Sequence, residues 1–295
     1  MERLSALVFA ASIRALSLLS LDGQRRVGRW LGRAAWHLRV DGARTTWINL
    51  CWCFPDLDEE TRRRLARASL EHTGMLAAEL GAVYRWPKER WAGLTVRTEG
   101  SELIERARAE GRGVLVLVPH FGNWEHLALV LGGYGVTALY DPPRVRSLEP
   151  IIREARNRAG ATLLPIEAGG LRGFYRALAT GGVAALLPDQ VPERQAGVYA
   201  DFFGRPALTM TFVHRLLQRI DASVVLGAAV RCADGFHVRF VELDRNLRNA
   251  SPAVSAALMN RAVEDLVRTD PAQYQWEYKR FKRRPQGSDD PYARR

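Results

Sequence analysis

Three cysteines in 295 residues (Cys51, Cys53 and Cys232) are too few and too unevenly placed for a disulfide framework. A reducing compartment fits that count. A metal site does not, because no fourth ligand completes a cluster around them. The chain also has no glycine-rich phosphate loop, no internal repeat and no low-complexity stretch. Zinc-finger spacing, a ribonucleoprotein aromatic motif and a clear helix-turn-helix are all missing, which argues against nucleic acid as the partner. Acidic residues are in short supply. The 32 Asp and Glu stand against 43 Lys and Arg, a formal net charge of +11 with a pI near 10.2. An anionic membrane or an acidic protein remains as the counterpart of that charge.

Long apolar runs are scarce too. The run from Leu4 to Leu21 barely reaches spanning length, and Arg14 interrupts it. It has no small-residue cleavage site, which argues against a removed signal peptide. The next residues mix Arg25, Arg26, Arg29, Arg33, Arg39 and Arg44 with Trp30, Leu31, Trp36 and Leu38. Arginine and tryptophan together suit a bilayer interface with anionic headgroups. Residues 1–45 therefore read as membrane-anchoring helices, spanning or interfacial, with the body of the protein on the cytoplasmic face of the inner membrane. A buried helix followed by a solvated amphipathic one fits the same pattern.

What the chain does have is an alternation of strand and helix from Leu94 onward, the mark of an α/β fold with a mostly parallel central sheet flanked by helices. Strands are predicted at Val136–Tyr140, Ala161–Pro165, Val183–Leu187, Ser223–Arg231 and Phe236–Leu243. The informative stretch is 113–125. Gly113 to Val118 reads as a strand buried on both faces, and Pro119 ends it. His120 then falls at the carboxyl end of that strand, where open α/β sheets keep their ligand sites. Gly122 permits a tight turn, and Asn123 is a helix N-cap. Glu125 follows His120 by five positions, close enough for a carboxylate to fold back onto the imidazole and leave it a general base. A histidine capping a strand and an acid in the first helical turn give the same spacing. A second polar cluster, Pro188-Asp189-Gln190, closes the strand Val183–Leu187 and would face His120 if the two strands are neighbours. The stretch 197–209 reads as a long loop carrying Phe202 and Phe203. His72 sits on the apolar stripe of a helix capped by Asp58 and reads as a packed residue.

The string Pro119-His120-Phe121-Gly122-Asn123-Trp124-Glu125 resembles the histidine–acid motif of the lipid A biosynthesis (lauroyl/myristoyl) acyltransferases. Four further stretches resemble that family in its own order: Asn49 to Leu57, Pro188-Asp189-Gln190, Phe202-Phe203-Gly204-Arg205-Pro206-Ala207-Leu208-Thr209, and Gln273 to Pro285. The resemblance covers about residues 25–287. Glu149-Pro150 and Glu277 depart from the commoner family residues. The resemblance implies an acyltransferase domain over 46–285; residues 286–295, at the chain end, read as a disordered tail. It implies transfer of a fatty acyl chain from acyl carrier protein, or another thioester, to a hydroxyl of a lipid A precursor, with no cofactor and no metal. His120 would be the base, Glu125 its orienting acid, and Arg156 the oxyanion partner, with backbone N–H groups of Phe121–Asn123 as alternates. Asn123, Trp124, Asp189, Gln190, Phe202 and Phe203 would contact substrate, Trp124 and the two phenylalanines as walls of an acyl groove. Arg156 also fits a solvated helix face, and Asp189 and Gln190 a structural turn. The competing readings are a different glycolipid or aminolipid acceptor, or a silent membrane-binding protein.

Overall fold

The computed structural model describes residues 2–143 and 145–293; Met1, Arg144, Arg294 and Arg295 lie outside the described residues. Four helices come first: α1 (Glu2–Ser17), α2 (Leu21–His37), α3 (Asp41–Cys53) and α4 (Glu59–Arg85). The apolar run predicted from Leu4 to Leu21 is not one helix. It breaks at Leu18–Ser20, where the Ser20 hydroxyl accepts from the Gly23 N–H and caps α2. No helix among the described residues is long and apolar enough to cross a membrane. Instead the first two helices expose apolar side chains, among them Leu4, Leu7, Val8, Trp30 and Leu31, as do Leu18 and Leu38 just past their ends.

The inner faces of α2 and α4 meet backbone to backbone. A Cβ on Gly74 would lie 2.1 Å from the Gly28 carbonyl oxygen, and one on Gly32 would lie 2.3 Å from that of Leu70. The close approach exists because these positions have no side chain.

The α/β part follows. After α5 (Lys88–Ala92) come β1 (Thr95–Glu99), α6 (Ser101–Ala109), β2 (Gly113–Leu117), α7 (Trp124–Gly132), β3 (Thr137–Tyr140), α8 (Glu149–Asn157), β4 (Thr162–Pro165), α9 (Ala168–Ala179) and β5 (Val183–Leu186). A hairpin of β6 (Gly197–Phe202) and β7 (Arg205–Met210) leads to α10 (Phe212–Leu217), β8 (Ala222–Cys232), β9 (Gly235–Glu242), α11 (Asn246–Asn249) and α12 (Pro252–Thr269). The stretch read as a long loop is therefore an antiparallel hairpin. Phe203 and Gly204 take positive φ at its two-residue turn, as such turns require.

Seven strands form one sheet in the order β1-β9-β8-β2-β5-β3-β4, parallel throughout except for β8 against β9. This is the mostly parallel α/β sheet that the alternation predicts. All of β2 is buried, and its side chains alternate between two cores. Leu115 and Leu117 point to one side, with Phe174, Phe202 and Val213. Val114, Val116 and Val118 point to the other, with Leu127, Leu129 and Leu131 of α7. The chain leaving β2 thus packs on one face, and the chain leaving its neighbour β5 packs on the opposite face. The carboxyl ends of β2 and β5 form a topological switch point, the usual place for a site in an open α/β sheet.

A Gly74→Ala substitution tests the helix crossing. Alanine should gain up to about 1 kcal/mol in helix propensity. The clash with a backbone carbonyl cannot be relieved by a side-chain rotation, so a net loss of about 1–3 kcal/mol is expected. Urea unfolding of the variant reads this directly, and a stabilised protein would contradict the contact.

Candidate active site

Leu117 of β2 pairs in register with Leu186 of β5. His120 and Asp189 each lie three residues beyond that pair, so the parallel register alone sets them side by side. Asp189 takes His120 twice. Its Oδ1 is 2.8 Å from the ring Nδ1, and its Oδ2 accepts the His120 backbone N–H at 2.8 Å. Burial pushes the Asp189 carboxyl up, but the imidazole beside it and the two hydrogen bonds outweigh burial and hold it below the usual carboxylate range. An ionised carboxylate can only accept, so Nδ1 carries the hydrogen and the lone pair of the neutral ring is on Nε2. Gln190 Nε2 lies 3.1 Å from that atom and donates to it. Trp124 packs edge-on against the imidazole, with ring centroids 4.9 Å apart.

The carboxylate on the ring is therefore Asp189, not Glu125. Glu125 is in the first turn of α7 and faces α8 and α4. It is bonded through both oxygens by the Arg156 guanidinium, with Arg156 Nε 2.9 Å from Oε2. The Tyr84 hydroxyl joins the pair. Burial raises the Glu125 carboxyl, but Arg156 more than compensates and leaves it below its ordinary value. Arg156 is lowered by burial and raised by more through Glu125. Sequence reading found both residues and assigned them separate tasks; in space they are one ion pair.

The backbone donors expected from Phe121–Asn123 are already used. Phe121 N–H bonds the Pro119 carbonyl, Gly122 N–H that of Gln273, and Asn123 N–H that of Ala229. Gly122 has φ +62°, and a Cβ there would lie 2.1 Å from the Ala229 carbonyl oxygen, so the turn needs glycine. The Asn123 side chain is equally occupied. Its Oδ1 caps α7 through the His126 N–H at 2.8 Å, and its Nδ2 donates to Glu79 at 2.9 Å.

Glu79 is the residue that sequence reading missed. It is fully buried on α4 and accepts from Arg25 Nε at 2.7 Å, Arg231 Nη2 at 2.8 Å and Asn123. Burial raises its carboxyl, but the two guanidiniums prevail and keep it ionised below the ordinary range. Arg25 also donates to the carbonyls of Cys232, Ala233 and Gly235. The signal was an acid three positions from Leu76 on the apolar side of a helix, and buried acids need partners. His72 accepts from Arg231 at 2.9 Å and is held neutral, pushed down to about 4 by burial and then by Arg231. It is half-buried, with its ring nitrogen taken by Arg231.

The end of the chain closes the site from above. Gln275 N–H bonds the His120 carbonyl at 3.0 Å, and the Tyr274 hydroxyl bonds Asp189. Phe202 and Phe203 are buried among Phe54, Tyr274 and Trp276, on the core side away from α7. They do not line an open groove. The apolar cleft beside the site lies on the other face of the sheet, under α7 and α8, and has a cavity volume of about 70 Å³. Val118, Trp124, Ala128, Leu131, Val136 and Leu163 wall it, with Glu125 and Arg156 as its charged residues.

A histidine held by a buried carboxylate, an arginine–glutamate pair and an adjoining apolar cleft, gathered at the carboxyl ends of parallel strands, make this the candidate site of an α/β protein. Sequence comparison narrows the class. The pattern of the bacterial lipid A biosynthesis acyltransferases matches residues 3–283, and the chain belongs to that family. It is 30% identical over 277 residues to the lipid A biosynthesis lauroyltransferase of Escherichia coli K12, covering 90% of this chain and 88% of that one. It is 30% identical to the palmitoleoyltransferase of the same strain over 83% of this chain and 80% of that one. To the myristoyltransferase it is 28% identical, over 90% and 83%.

Two substitutions test the site's framework. Glu79→Gln leaves two guanidiniums buried with half their partner and should cost about 3–5 kcal/mol. For Asp189 the sign follows from its lowered pKa. Its contribution to stability is complete above the unfolded value of about 3.9 and disappears as pH falls through the folded value. Asp189→Asn should therefore be less stable than the parent at pH 7, by about 1–3 kcal/mol. The gap should close on acidification below about pH 4. Urea midpoints measured from pH 7 to 3 decide it, and a pH-independent gap would disprove the pairing.

Proposed function

We propose that this protein transfers a fatty acyl chain from an acyl thioester, carried on acyl carrier protein, to a hydroxyl of a lipid A precursor, with His120 as general base. Family membership supports acyl transfer onto lipid A. The His120–Asp189 pair at the switch point, beside an apolar cleft, is the observation that carries the mechanism.

In this mechanism the acceptor hydroxyl displaces the Gln190 amide from Nε2 and gives its proton to His120. Asp189 fixes the tautomer and stabilises the imidazolium, the part a buried acid plays in such relays. The hydroxyl oxygen attacks the thioester carbonyl, and Arg156 supports the charge that develops on the carbonyl oxygen. Glu125 holds the guanidinium in place through its two hydrogen bonds. Collapse of the intermediate forms the ester and breaks the C–S bond. The imidazolium proton goes to the departing thiolate, so the free thiol leaves and the base is restored. The acyl chain enters the cleft under α7 and α8 past Trp124, and the cleft, about 70 Å³ in this structure, widens to take it. Asn123 serves by shaping the turn rather than by touching substrate.

Membrane attachment belongs to the same proposal. No helix among the described residues is long and apolar enough to span a membrane, and the proposed attachment is interfacial. The exposed leucines of α1 and α2, together with Trp30, Arg26 and Arg33, would rest on the cytoplasmic leaflet. Such a position gives the base access to a lipid-borne hydroxyl without extracting the lipid.

The test is a transfer assay with carrier-bound acyl donors and a tetra-acyl lipid A precursor, read by mass spectrometry. Loss of a base of this kind costs a factor of about 10²–10⁴. His120→Ala should show a drop of that size in kcat with its fold intact. Near-parental turnover by the variant would remove His120 from the mechanism.

A further inference from the structure

Most buried guanidiniums of this protein have a partner of opposite charge or several carbonyls. Arg25 and Arg231 share Glu79, Arg156 has Glu125, and Arg280 donates to the Leu208 carbonyl and the Thr209 hydroxyl. Around Trp52, at the end of α3, the pattern changes. Arg284 lies with its Cζ 4.4 Å from the Trp52 ring centroid, and Arg205 with its own at 5.3 Å. Arg205 spends its Nε on the Trp52 carbonyl at 3.2 Å. Arg284 Nε and Nη1 are both buried and have no hydrogen-bond partner. Among the described residues no carboxylate forms a salt bridge with Arg205 or Arg284. Arg62, whose Nε is also unpartnered, lies against the thiol of the adjacent Cys51. Glu193 is taken by Arg283, the residue before Arg284, at 2.9 Å.

Two half-buried guanidiniums against one indole repel each other and leave donors unsatisfied. Stacking on the ring offsets part of that and fixes the planes of the forks. The buried Arg284 Nε and Nη1 are out of reach of a ligand. Arg284 Nη2 and both Nη atoms of Arg205 are not among the buried atoms and bond no group among the described residues. Such N–H groups are matched by phosphate oxygens, which accept in pairs. We infer that Arg205 and Arg284, held against Trp52, form a binding site for a phosphate group. Hydrogen bonds tie the C-terminal segment that carries Arg284 to the strand ends at His120. Gln275 N–H bonds the His120 carbonyl, Val191 N–H bonds the Tyr278 hydroxyl, and Arg283 bonds the Pro192 carbonyl on the way to Arg284. A phosphorylated glycolipid would be anchored at Trp52 by its phosphate while its hydroxyl reaches His120. Naming the acceptor as the source of the phosphate rests on the function proposed above; the phosphate chemistry itself does not.

The experiment separates the two. Titration calorimetry compares glucosamine 6-phosphate with glucosamine on the full-length protein, then on Arg284→Gln and Arg284→Lys. The parent should prefer the phosphorylated sugar by about tenfold or more, Arg284→Gln should lose the preference, and Arg284→Lys should keep part of it. Thermal melting of each variant checks that the fold is retained. Sedimentation with phosphatidate and phosphatidylcholine vesicles forms a second arm. A loss confined to phosphatidate vesicles assigns the same site to a phospholipid headgroup instead of the acceptor. In the transfer assay, Arg284→Gln should raise KM for a phosphorylated acceptor about tenfold and leave kcat and the KM of its dephosphorylated form unchanged. Equal binding by parent and Arg284→Gln in both the sugar and vesicle arms overturns the inference. Absence of any acyl transfer, with sugar phosphate still bound through Arg284, overturns the function and leaves this site standing.

Discussion

The Glu79 carboxylate is the point on which the rest of the molecule turns. It sits in the middle of α4 with no solvent contact and takes donors from α2, from β8 and from the turn after β2. An ionised acid at such depth is tolerable only because every oxygen is engaged and two guanidiniums neutralise it. The N-terminal helices, the sheet and the turn next to His120 are thus coupled through one group. Asn123 transmits the coupling, since the same amide caps α7 and bonds Glu79. The turn that aims the imidazole is fixed to the helices proposed to meet the membrane.

The sheet was legible because its strands are written as short apolar runs with abrupt polar ends. Gly113 to Val118 could be nothing but a doubly buried strand, and the adjacency of its end to that of Val183–Leu187 followed once the two strands were known to pair. The choice between Glu125 and Asp189 was not legible. Sequence distance favoured the acid five residues on, whereas the ring is held by one 69 residues away that the parallel register delivers. Glu79, Arg25 and Arg231 escaped for the same reason: each looks like surface charge until three separate elements converge. The hairpin at 197–210 was hidden by its composition. Phe203 occupies a left-handed turn position usually given to asparagine or aspartate, and is kept there by its N–H bond to Glu264 and by Arg268 over its ring.

Charge in this protein is sorted by depth. Exposed arginines at the start of α4 make ordinary helical pairs with Glu59 and Glu60, worth little. Buried ones hold the architecture, as Arg25 and Arg231 do, or stand at the cleft, as Arg156 does. Arg205 and Arg284, stacked on Trp52, fit neither group.

The amide of Gln190 lies across the outward nitrogen of His120. In the proposed mechanism any molecule that is to be deprotonated must first win that nitrogen from a tethered neighbour. A glycolipid brings binding energy from its sugar and chains to the contest; a water molecule brings none. One side chain thereby biases the enzyme against wasting its donor by hydrolysis, without a lid and without sealing the pocket.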